Sequence, residues 1–283
     1  AALGHKTLAV NLSDLAAMGA QPLGFTLAAA IPHINEAWLA PFSQGLFDLA
    51  DAHACDLIGG DTTQGPLNLC VTVFGSVPSA LALRRSTAQV GDDIYVSHAN
   101  GGIGDARLAL HLLLQQKQLP HHLPALPPQQ RSTLLDATRH RLEWPQPRVA
   151  LGLALRGIAH ACADVSDGLS GDVPHILAAS QVGATLFANN DQHQARLHAT
   201  SPALQSLGAE PALDFALAGG DDYELVFTAA PNQRPAIAQA ATQAQVQVTR
   251  IGVVEAEPGL RWRNLQGQTQ ALSSRSFNHF APS

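Results

Sequence analysis

Charged side chains are scarce in this chain of 283 residues: Asp, Glu, Lys and Arg together make up 13%, against 46% hydrophobic residues. This balance excludes an intrinsically disordered protein and a charged helical rod, because both need more charge and less apolar surface. Basic residues are fewer than acidic ones, 16 against 22, so the formal net charge is −6. No electrostatic attraction to nucleic acid or to an anionic membrane is therefore expected.

Paired cysteines and membrane-spanning segments are also missing from the sequence. The three cysteines, Cys55, Cys70 and Cys162, lie far apart and match no zinc or CxxC spacing, which predicts buried thiols in a reducing compartment. No apolar run reaches the ~18 residues of a transmembrane helix. The first residues resemble neither a signal peptide nor a transit peptide. We therefore expect a soluble, cytoplasmic protein.

Hydrophobic periodicity predicts helices and strands that alternate along the chain. The leucine spacing predicts a first helix over 7–18, and Gly19 is placed to end it in a left-handed conformation. Asn35 is placed to cap a second helix.

A weakly patterned connection at 78–91 divides the chain into two predicted domains, 1–80 and 90–283. The glycine-bearing segment 59–66 is predicted to be a loop. Residues 117–145 are rich in Gln, His and Pro, which predicts an irregular surface excursion. The sequence therefore predicts an α/β (α+β) fold with a smaller N-terminal lobe and a larger C-terminal lobe.

Acidic residues are concentrated in four short segments that contain no Lys or Arg. Eight of the 22 acids lie there: Asp14, Asp61, Asp164, Asp167, Asp172, Asp221, Asp222 and Glu224. Carboxylates gathered without cations must be neutralised by protons or by a bound metal ion. Oxygen ligands without His or Cys favour Mg²⁺, which commonly bridges to phosphate groups.

Each acidic segment also has a purely structural interpretation. Asp14 could belong to an exposed polar stripe of its helix, and Asp61 to an ordinary turn. The Ser166–Asp167 pair could cap a helix, and the glycines before Asp221 could end one. Asp221 and Asp222 would repel each other unless they point in different directions or bind a ligand.

Taken together and in this order, the segments NLSDLAAMGA, IGGDTT, DVSDGLSGDV and GGDDYEL resemble the thiamine-monophosphate kinase family of the AIR-synthase-like superfamily. The likeness extends over nearly the whole chain. It implies a two-domain AIR-synthase-like fold that forms a homodimer through its N-terminal lobe. It also implies ATP-dependent phosphorylation of thiamine phosphate to thiamine diphosphate, assisted by several Mg²⁺ ions.

The resemblance also assigns roles to individual residues of this chain. The positions that match the family's metal ligands are Asp14, Asp61, Asp164 and Asp167. The positions that match its ATP-binding residues are Gly60, Asp61, Arg85 and Ser166. The positions that match its contacts with thiamine phosphate are Asp221 and Phe277. The family often has Glu at the position of Asp221, so the carboxylate here is one methylene shorter.

The chain begins after an N-terminal segment of the family that carries a Gly-Asp-Asp motif and further metal ligands, so we expect residues 1–283 alone to have little kinase activity. One alternative is another ATP-using synthetase of the superfamily. The hydrogenase maturation factor ends in a reactive cysteine, whereas this chain ends in Ala281, Pro282 and Ser283. A second alternative is a non-catalytic nucleotide-binding module that dimerises.

Overall fold

The computed structural model describes residues 1–98, 102–114, 126–188, 197 and 200–272. Helices and strands alternate along them. The helices are α1 (Ala2–Ala17), α2 (Glu36–Ala52), α3 (Asp105–Leu113), α4 (Pro128–Glu143), α5 (Val149–Ala154), α6 (Leu169–Ser180), α7 (Pro202–Gln205), α8 (Ala209–Ala218) and α9 (Arg234–Gln243). The strands are β1 (Gln21–Ile31), β2 (Asp56–Gln64), β3 (Asn68–Ser76), β4 (Asp93–His98), β5 (Ala161–Asp164), β6 (Gly183–Phe187), β7 (Leu225–Ala229), β8 (Gln247–Glu255), β9 (Gly259–Arg263) and β10 (Thr269–Ala271).

The first helix confirms the leucine spacing, because Leu8 and Leu12 are fully buried. It starts one turn earlier than predicted, since Gly4 and His5 are also packed against the protein. Gly19 ends the helix with φ +63°, as expected for a left-handed stop. Asn35 caps α2 by accepting a hydrogen bond from the amide of Ala37 at 3.1 Å.

The first sheet has the strand order β2-β1-β3 among the described residues. Its central strand, β1, runs parallel to β2 and antiparallel to β3. Every residue of β2 is exposed, so this strand forms an open edge of the sheet. Cys70 on β3 is also exposed, so the prediction of buried thiols is correct for Cys55 and Cys162 but wrong for Cys70.

The second sheet has the order β10-β9-β6-β8-β4-β7-β5 within the described ranges. Its strands pair antiparallel except β6 and β9, which are parallel. Helices cover both faces, and the side chains of the middle strands alternate between two cores. Val226 of β7 packs into the core with α6 and α8, whereas Leu225 and Phe227 pack into the core that contains α1. This is the predicted α/β (α+β) architecture.

One predicted irregular region is partly helical. Residues 128–143 of the expected surface excursion form α4, which buries Leu134, Thr138 and Leu142 at four-residue spacing. Because α4 is rich in polar residues and its buried face is narrow, the hydrophobic periodicity of this segment is too weak to predict the helix. No helix in the described part of the chain combines the length and apolar character that a bilayer crossing requires.

Candidate active site

Two of the acidic segments lie side by side at the ends of β5 and β7. The two strands pair as far as Asp164 and Leu225, and backbone hydrogen bonds continue beyond them. The amide of Tyr223 donates to the carbonyl of Val165 at 2.8 Å, and the amide of Asp221 donates to Ser166 at 2.9 Å. The fold therefore places residues that are more than 50 positions apart in direct contact.

Close backbone approach explains the glycines of these two segments. A Cβ atom on Gly168, which has φ +90°, would lie 2.6 Å from the carbonyl oxygen of Gly219. A Cβ atom on Gly220 would lie 2.4 Å from the carbonyl oxygen of Ser166. Gly219 also ends α8, as the structural interpretation predicted, and donates to the carbonyl of Phe215 at 2.7 Å. Larger residues would push the segments apart.

Asp164 points toward α1 because it follows the alternation of β5. It is 5% exposed and accepts a hydrogen bond from the Ser13 hydroxyl at 3.0 Å. Burial and the charge of Asp14 raise the pKa of Asp164, and the Arg85 guanidinium acts in the opposite direction. Partial burial likewise raises the pKa of Asp14, against the charge of Arg85. Asp14, Asp164 and Arg85 therefore share one electrostatic environment.

Asp167 and Asp172 extend this acidic group into α6. The buried carboxylate of Asp172 accepts a hydrogen bond from the amide of Asp167 at 2.9 Å. Burial raises the pKa of Asp172 to about 7, and the charges of Asp164 and Asp167 contribute to the rise. Asp167 itself is exposed. Negative charge is thus concentrated here with little compensation from cations.

A divalent cation fits the chemistry of this group. Carboxylate oxygens are the ligands that Mg²⁺ prefers, and a cation would offset the burial and the neighbouring negative charges that raise these pKa values. As they stand, however, no three carboxylate, imidazole or thiol side chains within the described ranges are arranged to hold a metal ion. The metal ligands remain a prediction.

Asp221 faces a cation of the first helix. Its Oδ1 atom lies 2.7 Å from Nζ of Lys6, and the Tyr223 hydroxyl donates to the same oxygen at 3.3 Å. The Lys6 ammonium also lies 5.8 Å from the centroid of the Tyr223 ring. Asp221 and Tyr223 both have left-handed backbones, with φ +65° and +49°. The predicted substrate carboxylate is therefore held by a strained loop and paired with Lys6.

The neighbouring acids of the same loop have structural partners instead. Asp222 is 3% exposed, and both of its oxygens accept the amide hydrogen of Gly104, at 3.1 and 2.9 Å. Asp221 and Asp222 thus avoid repulsion by pointing in different directions, one of the two possibilities left open by the sequence.

Glu224 is fully buried and accepts hydrogen bonds from three side chains. Arg141, Arg148 and Ser97 each donate to it at 2.6 Å. Burial alone would raise the pKa of Glu224, but the two guanidinium groups outweigh it and lower the pKa to about 2. Glu224 therefore anchors the acidic loop to α4 and to the segment before α5.

The IGGDTT segment differs from its prediction as a loop, because residues 59–64 belong to β2. Gly60 has φ +151°, and a Cβ atom there would lie 2.0 Å from the carbonyl oxygen of Leu27. The glycines are thus needed for close pairing beside an irregularity in the β1–β2 register, rather than for a turn. Asp61 is exposed and accepts a hydrogen bond from the amide of Thr62 at 2.9 Å.

Arg85 is exposed, and its carbonyl accepts a hydrogen bond from Ser180 at 2.9 Å. The predicted substrate residue Phe277 lies outside the described residues. The structure thus places Asp14, Asp164 and Asp167 in one electrostatic group, and the role of Asp61 as a metal and ATP ligand stays a prediction.

Five described side chains at this site were not predicted from the sequence: Lys6, Ser13, Ser97, Arg141 and Arg148. Ser13 directly precedes Asp14, and Lys6 lies two turns before Ser13 on the same helix, so the helical period could have indicated both. Arg141 belongs to α4, and the four-residue spacing of the buried side chains of this helix could have indicated the helix that carries it. Nothing in the local sequence points to Arg148.

The two sheets, their covering helices and the converging acidic loops define a protein of the AIR synthase related class. Two family models support this class. The model described as AIR synthase related protein, N-terminal domain, matches residues 1–77. The model of the C-terminal domain matches residues 89–263.

Comparison with individual proteins shows which family within this class the chain resembles. Thiamine-monophosphate kinase of Escherichia coli (strain K12) is 40% identical over 280 residues, which are 99% of this chain and 80% of the relative. The crystal structure of thiamine-monophosphate kinase from Stenotrophomonas maltophilia K279a is 48% identical, with a TM-score of 0.78, and the match covers 92% of this chain and 78% of that one. AaThiL complexed with AMPPCP and TMP has the same fold at 24% identity, with a TM-score of 0.77 and coverage of 99% and 80%. The chain belongs to the thiamine-monophosphate kinase family.

Proposed function

We propose that the protein transfers a phosphoryl group from ATP to thiamine phosphate, giving ADP and thiamine diphosphate. The observation that carries this proposal is the convergence of Asp14, Asp164, Asp167 and Asp172 beside the loop of Asp221. Its curated relatives bear the name thiamine-monophosphate kinase. The fold is also that of AaThiL, which is complexed with AMPPCP and TMP.

The chemistry needs no nucleophile from the protein. An oxygen of the acceptor phosphate attacks the γ-phosphorus of ATP, and the bond to the ADP oxygen breaks. Both reactants are anions, so catalysis depends on positioning and on neutralising charge. When bound, Mg²⁺ would neutralise part of the negative charge on the phosphate oxygens. The side chains proposed to hold it are Asp14, Asp61, Asp164 and Asp167.

The remaining roles are assigned to residues around the acidic group. The residues proposed to contact ATP are Gly60, Asp61, Arg85 and Ser166. Arg85 is a suitable phosphate ligand because its charge already acts on Asp14 and Asp164. Asp221 and Phe277 are proposed to hold thiamine phosphate, the first by its charge and the second by ring contact.

The proposal includes a homodimer formed through the first sheet and a cytoplasmic location with access to ATP. Large apolar side chains are exposed on this sheet and on the connection between β2 and β3: Leu23 is 55% exposed, Ile58 63%, Leu67 50% and Phe74 45%. Such a patch around an open strand edge is typical of an interface with another chain. The proposed domains remain residues 1–80 and 90–283.

The test is an assay of ADP formation with ATP, Mg²⁺ and thiamine phosphate, combined with chromatographic detection of thiamine diphosphate. We expect product only when thiamine phosphate is the acceptor, and only at a low rate from residues 1–283 alone. Asp164→Asn should lower the rate at least about tenfold, since it removes a proposed metal ligand. Asp136→Asn, an exposed position on α4, is the matched control and should leave the rate unchanged. Binding of ATP without product would contradict the proposal and favour a non-catalytic nucleotide-binding module.

A further inference from the structure

Lys6 is one of two lysines in the chain, the other being Lys117. It lies in the first turns of α1 and forms an ion pair with Asp221, 215 positions away, at 2.7 Å. The side chains of Lys6 and Asp221 are 25% and 30% exposed, respectively. A ligand in solvent can therefore reach both charges of this pair.

The carboxylate side of the pair is fixed, whereas the lysine side is adaptable. Asp221 and Tyr223 keep their left-handed backbones because their amides donate to Ser166 and Val165 at 2.9 and 2.8 Å. Glu224, next in sequence, is anchored by two arginines. The four-carbon stem of Lys6 has many rotamers, so its ammonium group can move while Asp221 stays in place.

The position of Lys6 relates the ion pair to the acidic group. Lys6 and Ser13 are seven residues apart on α1, so they face the same side of the helix, about 10 Å apart along its axis. Ser13 donates to Asp164, where the proposed metal and nucleotide ligands converge. Lys6 is thus placed beyond the acidic group, on the side of the proposed thiamine phosphate residue.

We propose that Lys6 determines specificity for the phosphorylated acceptor: the Lys6–Asp221 ion pair opens to receive a zwitterionic substrate, with Asp221 on its cationic ring and Lys6 on its phosphate. This inference rests on the proposed function. Thiamine phosphate carries a quaternary thiazolium and a phosphate, which are complementary in charge to Asp221 and Lys6. In the free protein, Lys6 takes the place of the cationic ring beside Asp221, and Asp221 takes the place of the phosphate beside Lys6.

Stability alone does not account for this pair. A partly exposed ion pair between a long side chain and a carboxylate contributes little to the stability of the fold. The loop of Asp221 is already tied to β5 by backbone hydrogen bonds and to α4 through Glu224. Lys6 therefore adds charge at the site rather than a required structural tie.

The experiment is titration calorimetry of the purified protein with thiamine phosphate and, separately, with thiamine, which lacks the phosphate. Lys6→Met should weaken thiamine phosphate binding on the order of tenfold, because a charge-assisted hydrogen bond is lost. Binding of thiamine should be unchanged or tighter, because Asp221 no longer has an internal partner. Lys6→Arg should keep most of the preference for the phosphorylated ligand.

Thr7→Ala is the matched control, since the Thr7 hydroxyl donates a hydrogen bond within α1, to the carbonyl of Leu3 at 2.7 Å. It should change neither affinity, and thermal unfolding should show that Lys6→Met is folded. An equal loss of affinity for both ligands in Lys6→Met, or no loss for either, would overturn the role of Lys6 while leaving the kinase assignment intact. A wild-type protein that binds neither ligand would overturn both.

Kinetics provide an independent measurement. The KM for thiamine phosphate should rise in Lys6→Met while the KM for ATP stays the same, because Lys6 lies on the acceptor side of the acidic group. A rise in both values would indicate a general distortion of the site and would contradict the proposed role of Lys6.

Discussion

Replacing Glu224 by Gln tests whether the acidic loop depends on its buried anchor. The carboxylate is fully buried and receives hydrogen bonds from Arg141, Arg148 and Ser97. The amide side chain keeps nearly the same volume, so the substitution removes the charge without creating a cavity. The guanidinium groups of both arginines then lose their shared counter-charge while remaining largely buried.

The expected loss of stability can be worked from the pKa of Glu224. Folding lowers this pKa from 4.5 to about 2. At 1.36 kcal/mol for each pKa unit, the carboxylate stabilises the folded state by roughly 3 kcal/mol near neutral pH. Removal of one partner from a buried ion pair costs about 3–5 kcal/mol, which agrees with this figure. We expect Glu224→Gln to lower the free energy of unfolding by roughly 3 kcal/mol.

The lowered pKa of Glu224 also determines how its stabilisation of the folded state changes with pH. Because the folded pKa is lowered, the stabilisation is complete above pH 4.5 and is lost as the pH falls toward 2. The difference in unfolding free energy between wild type and variant should therefore be largest near pH 7 and shrink through this window. Urea denaturation followed by circular dichroism, repeated across the pH range, measures this difference.

Glu143→Gln is the matched control for charge removal. Glu143 pairs with Arg139 at 2.6 Å on the surface of α4, where the two side chains are 29% and 53% exposed. Its loss should cost no more than about 0.5 kcal/mol. If Glu224→Gln were no more destabilising than this control at pH 7, the reasoning about a buried anchor would be refuted. If the variant did not fold, the acid titration of the wild type alone would still test the pH window.

Three further predictions concern the acidic group and the open sheet. Because the pKa of Asp172 is raised to about 7, its contribution to wild-type stability should fall as the pH rises from 3.8 to 7. Asp172→Asn should therefore unfold at a higher temperature than wild type at pH 8 but not at pH 4. Asp61→Asn and Asp167→Asn should abolish Mg²⁺-dependent ATP binding in calorimetry without lowering the stability of the ligand-free protein; loss of folding would indicate structural roles. Ile58→Asp should convert the proposed dimer into a monomer of 29.7 kDa in light scattering, and a wild-type protein that is already monomeric would contradict the dimer.

Much of the fold could be predicted because local signals and tertiary packing agree. The leucine spacing, the left-handed Gly19 and the Asn35 cap all describe the first two helices correctly. The acidic segments also predicted a shared charge environment, and the charge of Asp14 does act on Asp164, as those of Asp164 and Asp167 act on Asp172. Their roles as ligands stay predictions. In each case the properties of a few neighbouring residues were sufficient to make the prediction.

The failures have a common physical cause, which is dependence on distant partners. Gly60 resembles a turn glycine in the sequence, but it is required by the carbonyl of Leu27 on the adjacent strand. Asp222 and Glu224 resemble ligand carboxylates until Gly104 and Arg141 are brought to them by the fold. The pairing of Lys6 with Asp221 has no local signature, because the two residues are 215 positions apart in the sequence.

The position of α1 has a consequence for how the protein unfolds. The same hydrophobic core contains Leu8 and Leu12 of this helix, Phe25 of the first sheet and Phe227 of the second. Neither lobe can open without exposing apolar surface of the other, so the free energies of the two lobes are coupled. Two regions that match separate family models thus behave as one cooperative unit, with little freedom for hinge motion between them.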